Sequence, residues 1–133
     1  MDNQSDVRWR QRFKNFEKAY KQLEDSVQRA EELSDLEKEG MVQRFEYTFE
    51  LAWKTIKDFL EEQYVIAKFP REVIKQAFSY EVIEDGEIWM DMLEKRNLMA
   101  HTYEESIFKR AVNNIVNKYF PALNKLYIYL REQ

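Results

Sequence analysis

Only two glycines and two prolines, Gly40, Gly86, Pro70 and Pro121, are spread over the 133 residues of this chain. Tight two-residue hairpins need residues that accept positive φ, which glycine supplies most readily. A chain this poor in turn residues has almost no tight hairpins available, which argues against an all-β fold. Long helices joined by brief connections are expected instead.

The length suits one domain, residues 1–133, with a single core carrying everything. Hydrophobic residues at 44% and charged residues at 35% describe a packed interior under a heavily charged surface rather than a disordered chain. Cysteine is absent, which removes disulfides, thiolate metal sites and cysteine nucleophiles together and makes no demand for an oxidising compartment. The N-terminus MDNQSDVRWRQ lacks the apolar core of a signal peptide, and no run of apolar residues reaches a membrane-spanning length. A cytoplasmic protein with no membrane role is expected. The formal net charge of −4 argues against sequence-blind adhesion to nucleic acid, which rests on clustered Lys and Arg, and leaves room for a local basic site.

Trp9, Phe13, Phe16, Tyr20, Leu23, Val27 and Ala30 alternate steps of four and three, which predicts a first helix of roughly seven turns. Ser34-Asp35-Leu36-Glu37 has the spacing of a capping box and opens a second helix. Its buried face is Met41, Phe45, Phe49, Ala52, Ile56 and Phe59, widened by Trp53 and Leu60, and it ends near Tyr64. Pro70 suits a first helical turn, and Val73, Ile74, Ala77 and Phe78 give a short third helix stopping near Tyr80. After the break at Glu84-Asp85-Gly86, Ile88, Trp89, Met92 and Leu93 start a fourth helix running toward Leu98. Thr102-Tyr103-Glu104-Glu105 again has capping-box spacing, for a fifth helix carrying Ile107, Ala111, Ile115, Leu123, Leu126 and Leu130. Pro121 removes a backbone donor within it and predicts a kink.

Four long amphipathic helices and one short one imply an all-α, up-and-down four-helix bundle. The aromatic surplus leaves two places for Tyr20, Tyr47, Tyr127 and Tyr129: an interface with a second subunit, or the bundle's own core.

Chemistry concentrates in Arg96-Asn97-Leu98-Met99-Ala100-His101-Thr102-Tyr103. His101 is the only histidine, and imidazole is the side chain that naturally titrates near neutral pH. At about 100° per residue, Arg96 and His101 stand about 140° apart on an unbroken helix, so they converge only if the helix ends between them. Together they form a kit for phosphodiester cleavage without a metal: a guanidinium to hold the phosphate and an imidazole to move protons. RNA supplies its own nucleophile, the 2′-hydroxyl, and a symmetric dimer would supply two copies of His101 to divide the acid and base roles. The alternative is structural, with Arg96 paired to a nearby carboxylate and His101 capping the preceding helix.

Other constellations are weaker. Glu31-Glu32, Glu61-Glu62 and Glu104-Glu105 sit in charge-rich faces and read as solvation. No Glu-x-x-His pair is present for a di-iron bundle, and two glycines provide no phosphate-cradling loop. No cofactor or metal is expected, nor nucleotidyl transfer by this chain alone.

The run from Arg44 through Phe45-Glu46-Tyr47-Thr48-Phe49-Glu50-Leu51-Ala52-Trp53 to Lys57, followed by Pro70-Arg71-Glu72-Val73-Ile74, Ala77-Phe78, Trp89 and Arg96 to Tyr103, resembles the nucleotidyltransferase substrate-binding protein family. That family lies in the HEPN superfamily and includes the HepT-like toxins. The resemblance spans nearly the whole chain. It implies a HEPN-like bundle forming a homodimer, encoded beside a minimal nucleotidyltransferase with which it assembles. Two activities are implied. One is a metal-independent endoribonuclease toxin whose partner neutralises it, with Arg96 and His101 catalytic and Asn97 supporting. Tyr103 then matches the tyrosine that the partner adenylylates. The other is a non-catalytic substrate-binding subunit of a two-component nucleotidyltransferase.

Overall fold

The computed structural model describes residues 4–96 and 104–133. The described secondary structure is helical throughout. Helix α1 is Gln4–Gln28, followed by a single 3₁₀ turn at Ala30–Glu32, and α2 is Asp35–Glu62. Two ten-residue helices follow, α3 at Pro70–Ser79 and α4 at Gly86–Lys95. Then come α5 at Glu105–Asn114, a π-helical turn at Ile115–Tyr119 and α6 at Phe120–Arg131. Among these residues no helix is long and apolar enough to cross a membrane.

The start of α2 is built as its sequence requires. Ser34 accepts from the Glu37 backbone N–H at 3.1 Å, and the Glu37 carboxylate accepts from the Ser34 N–H at 2.9 Å, satisfying two amides that the helix itself leaves without partners. That engagement holds the Glu37 carboxyl below its ordinary range.

Helices α2 and α3 end in the same way. The Val65 N–H bonds Leu60 O at 2.9 Å and the Tyr64 N–H bonds Glu61 O, while the Val82 N–H bonds Ala77 O at 2.8 Å and the Glu81 N–H bonds Phe78 O. This Schellman pattern places one residue in left-handed backbone, here Tyr64 at φ 64° and Glu81 at φ 60° rather than glycine. The chain's scarcity of glycine is thus met by two strained L-residues, each held by a following valine packed on the core.

Antiparallel packing is legible in the cross-helix pairs. Between α1 and α2, Arg8 meets Glu61, Arg12 meets Asp58, and Arg44 meets Ser26, so one partner's number rises as the other's falls. Between α1 and α6, Tyr20 meets Asn124, Glu17 meets Tyr127 and Arg10 meets Gln133 in the same sense. The apolar stripes of α1 and α2 meet inside this arrangement. Phe16, Leu23, Phe45, Phe49 and Ile56 are fully buried, each contributing about 1.5–3 kcal/mol of transfer free energy. Helix α4 packs on α2 through Trp89 and Phe49, and α3 lies beside α4, where Phe78 covers Gly86. The result is an all-helical bundle, as expected.

Details depart from the expectation in three places. Helix α5 has Glu104 as its N-cap with no side-chain cap, two residues beyond the threonine of the expected capping box; Thr102 itself lies outside the described residues. At Pro121 the helix widens instead of losing a bond at a simple kink. The Phe120 N–H reaches Ile115 O five residues back, and Pro121 falls in the first turn of α6, where a missing N–H costs nothing. Phe78, placed by periodicity on a buried face, is 54% exposed, because a ten-residue helix lying on one side of the bundle has only a narrow face to bury.

The tyrosines divide. Tyr20 and Tyr127 are buried within this one chain, stacked at 4.4 Å, with hydroxyls satisfied by Asn124 and Glu17. Tyr129 is half-buried against Phe59, and Tyr47 is exposed and donates to Gln22. Other large apolar side chains are exposed as well, among them Leu36, Tyr64, Ile66, Phe69, Phe78 and Tyr80.

Candidate functional site

Arg96 is the C-cap of α4, with αR backbone angles, and its side chain turns toward α2. Its Nη1 donates to Glu50 Oε1 at 3.1 Å. The second oxygen of Glu50 accepts the Trp53 indole N–H at 3.0 Å. Glu50 and Trp53 are three apart on α2 and so share a face, which is why one carboxylate can serve both donors. Lys54 stands over the Trp53 ring at 5.9 Å, and Glu46 lies one turn before Glu50 on the same side of the helix. Burial pushes the Glu46 carboxyl above its ordinary range.

A second polar group fixes α4. Tyr119, fully buried in the π turn, donates its hydroxyl to Asp91, which also takes the Lys95 ammonium at 2.9 Å. Burial pushes the Asp91 carboxyl up, but the hydrogen bonds from Tyr119 and Lys95 outweigh it, and the carboxyl ends below its ordinary value. Burial and the same hydrogen bond raise the Tyr119 phenol. The turn carrying Arg96 is therefore pinned on two sides, by α2 through Glu50 and by the π turn through Asp91.

Of the four sequence-derived site residues, Arg96 is placed and is paired with a carboxylate. Asn97, His101 and Tyr103 lie outside the described residues. Among the described residues no group of His, Asp or Glu side chains could hold a metal ion. Among the described residues, two of the larger surface grooves have linings that include neither Arg96 nor Glu50. One, of about 830 Å³, runs between α3 and α4 over Ile74, Phe78 and Met90. The other, of about 660 Å³, lies between α5 and the start of α2 beside Phe108 and Val112.

The sequence over residues 11–132 matches the family described as nucleotidyltransferase substrate binding protein like. The chain belongs to that family. Among solved structures, the Thermus thermophilus protein ttk003001694 superposes with a TM-score of 0.80 at 28% identity, covering 87% of this chain and 98% of that one. HI0074 from Haemophilus influenzae superposes with a TM-score of 0.76 at 22% identity, covering 90% of this chain and 98% of its own. Its structure is described as revealing the fold of a substrate binding domain of a nucleotidyltransferase. At that identity the likeness carries the fold alone. Comparison with curated proteins gives no match.

For this member of the substrate-binding family, sequence reasoning missed Glu50 and Trp53 as neighbours of Arg96. Forty-six residues separate Glu50 from Arg96, so no local spacing joins them. The available signal was the one-sided arrangement Glu46, Glu50 and Trp53 on α2, a polar strip beside an otherwise apolar face.

Proposed function

We propose that the chain is the substrate-binding subunit of a two-component nucleotidyltransferase. It would act in the cytoplasm as a single-domain homodimer beside a separate minimal nucleotidyltransferase that supplies the catalytic centre. The match over residues 11–132 carries this reading. The scarcity of glycine supports it, since a chain without a glycine-rich phosphate-cradling loop is not expected to transfer nucleotides alone. The exposed Tyr64, Ile66 and Phe69, close together in sequence in the α2–α3 connection, support assembly with another chain, because large apolar side chains left in solvent are common at interaction surfaces. In this reading Arg96 would be the anion-holding group, its guanidinium suited to a phosphate of the transferred nucleotide.

One observation favours a second reading, a HepT-like toxin of the HEPN superfamily. Helix α4 closes at Lys95, so Arg96 stands at its cap rather than inside the helix. In that reading the homodimer is a metal-independent endoribonuclease. Arg96 clamps the scissile phosphate, His101 exchanges the protons of 2′-hydroxyl attack and Asn97 supports them. The partner neutralises the toxin by adenylylating Tyr103, where added negative charge would repel an RNA phosphate.

One experiment separates the two. The purified chain, alone and mixed with the nucleotidyltransferase encoded beside it, is given a mixed RNA pool in excess chelator. The first reading expects a stable two-protein complex and no cleavage by the chain alone. Cleavage that disappears in His101→Ala and is suppressed by the partner would overturn it in favour of the second.

A further inference from the structure

Among the described residues, Arg96 has one hydrogen-bond partner, Glu50, and that contact uses Nη1 alone. A guanidinium carries five N–H donors in a rigid fork, so donors remain for a second, bidentate acceptor. Glu50 is itself held: one oxygen takes Arg96 at 3.1 Å and the other takes the Trp53 indole at 3.0 Å. Trp53 is 9% exposed and packed into the core, so its N–H is a fixed donor. A carboxylate engaged at both oxygens, by Arg96 at the end of α4 and by Trp53 one turn along α2, is restrained from rotating.

The pair contributes little to stability, because the Arg96 and Glu50 side chains are 29% and 40% exposed and solvent screens them. Its effect falls on the arginine. A free arginine side chain samples many rotamers and must be ordered whenever it binds an anion, whereas one already held by a clamped carboxylate has met that cost on folding. We propose that Glu50, locked by Trp53, is the positioning residue of this site. It presents the Arg96 guanidinium in a fixed orientation to an oxyanion of a phosphate ester. The proposal rests on Arg96 being the anion-holding group, as both functional readings have it.

The test follows the Arg96 Nε–Hε signal by NMR in the full-length chain, assigned by its loss in Arg96→Lys, during titration with a thymidine deoxydinucleotide. That probe carries a phosphodiester and lacks the 2′-hydroxyl, so it cannot be cleaved by 2′-hydroxyl attack. The wild type is expected to show a sharp signal that shifts on binding. In Glu50→Gln the signal broadens before ligand is added, and affinity falls on the order of threefold to tenfold, the ordering cost of one long side chain. Trp53→Phe, which keeps most of the packing and removes the donor to Oε2, moves both readouts the same way by less. An unchanged signal and affinity in Glu50→Gln would overturn the proposal. Tighter binding in that variant would also overturn it, by making Glu50 a competitor for the arginine. Undiminished binding in Arg96→Ala, or no Arg96 shift in the wild type at the highest soluble ligand concentration, would remove the anion-holding assignment and this proposal with it, without any change at Glu50.

Discussion

The hydroxyl of Tyr119, which is fully buried in the π turn, donates to the carboxylate of Asp91 on α4, and the two groups titrate away from neutrality in opposite directions. The Asp91 carboxyl is depressed, so the stability it contributes is present above its ordinary value of 3.8 and is lost as pH falls through the folded value below that. The Tyr119 phenol is raised, so its contribution is present below the ordinary value of 10.0 and is lost as pH climbs above that toward the folded value. Urea midpoints of wild type and Asp91→Asn, measured between pH 2 and 7, are expected to converge as pH falls below 4. Those of wild type and Tyr119→Phe are expected to converge as pH rises above 10. Parallel curves in either pair would refute the assignment.

Arg12 on α1 pairs with Asp58 on α2, whose side chain is 4% exposed. Removing one member of a buried ion pair leaves the other charge without compensation and costs about 3–5 kcal/mol. Because the arginine end is 42% exposed, the loss falls at or below the low end of that range. Arg12→Met, which leaves the buried Asp58 carboxylate without its cation, is expected to lower stability by about 2–3 kcal/mol in urea unfolding, and Asp58→Ala by less, since the arginine it leaves behind is partly exposed and solvated. Equal stability of Arg12→Met and wild type would show that the pair carries no net energy.

Tyr64 and Glu81 occupy the left-handed positions that end α2 and α3. Non-glycine residues there cost about 1–2 kcal/mol each, so Tyr64→Gly and Glu81→Gly are expected to raise stability by about 1 kcal/mol apiece. The two sites belong to different helix ends with no shared partner, and the double variant is expected to be additive. A fall in thermal midpoint for either variant would mean that the lost side chain packs more strongly than the backbone is strained.

Ser34 caps α2 through the reciprocal bonds with Glu37. Ser34→Ala is expected to cost about 1 kcal/mol, read as a lower urea midpoint with an unchanged slope. The loss persists at high salt, because the bond is local rather than a screened charge pair. A salt-dependent loss would point instead to the acidic residues of the first turn.

Helix existence and type were written locally. The three-four spacing from Trp9 to Val27 and the Ser34 to Glu37 cap depend on neighbours within a turn, and they appear where their patterns place them. The poverty in glycine and proline argued against an all-β fold before any contact was known. What the chain does at Pro121 was half legible. The missing donor is local, but its accommodation by a π turn depends on Tyr119 reaching Asp91 and packing on Phe45.

The burial of Tyr20 against Tyr127 and the attachment of Arg96 to Glu50 were decided only by tertiary packing. Each joins residues far apart in the chain, and an amphipathic pattern states which face turns inward without stating which residue of another helix it will meet. The sequence by itself determined an all-helical bundle and marked Arg96 to Tyr103 as the candidate site, because periodicity, capping and residue chemistry are properties of short segments. The tertiary structure alone decided that the arginine of that stretch is held by a carboxylate on α2, because that contact exists only once α2 and α4 have packed.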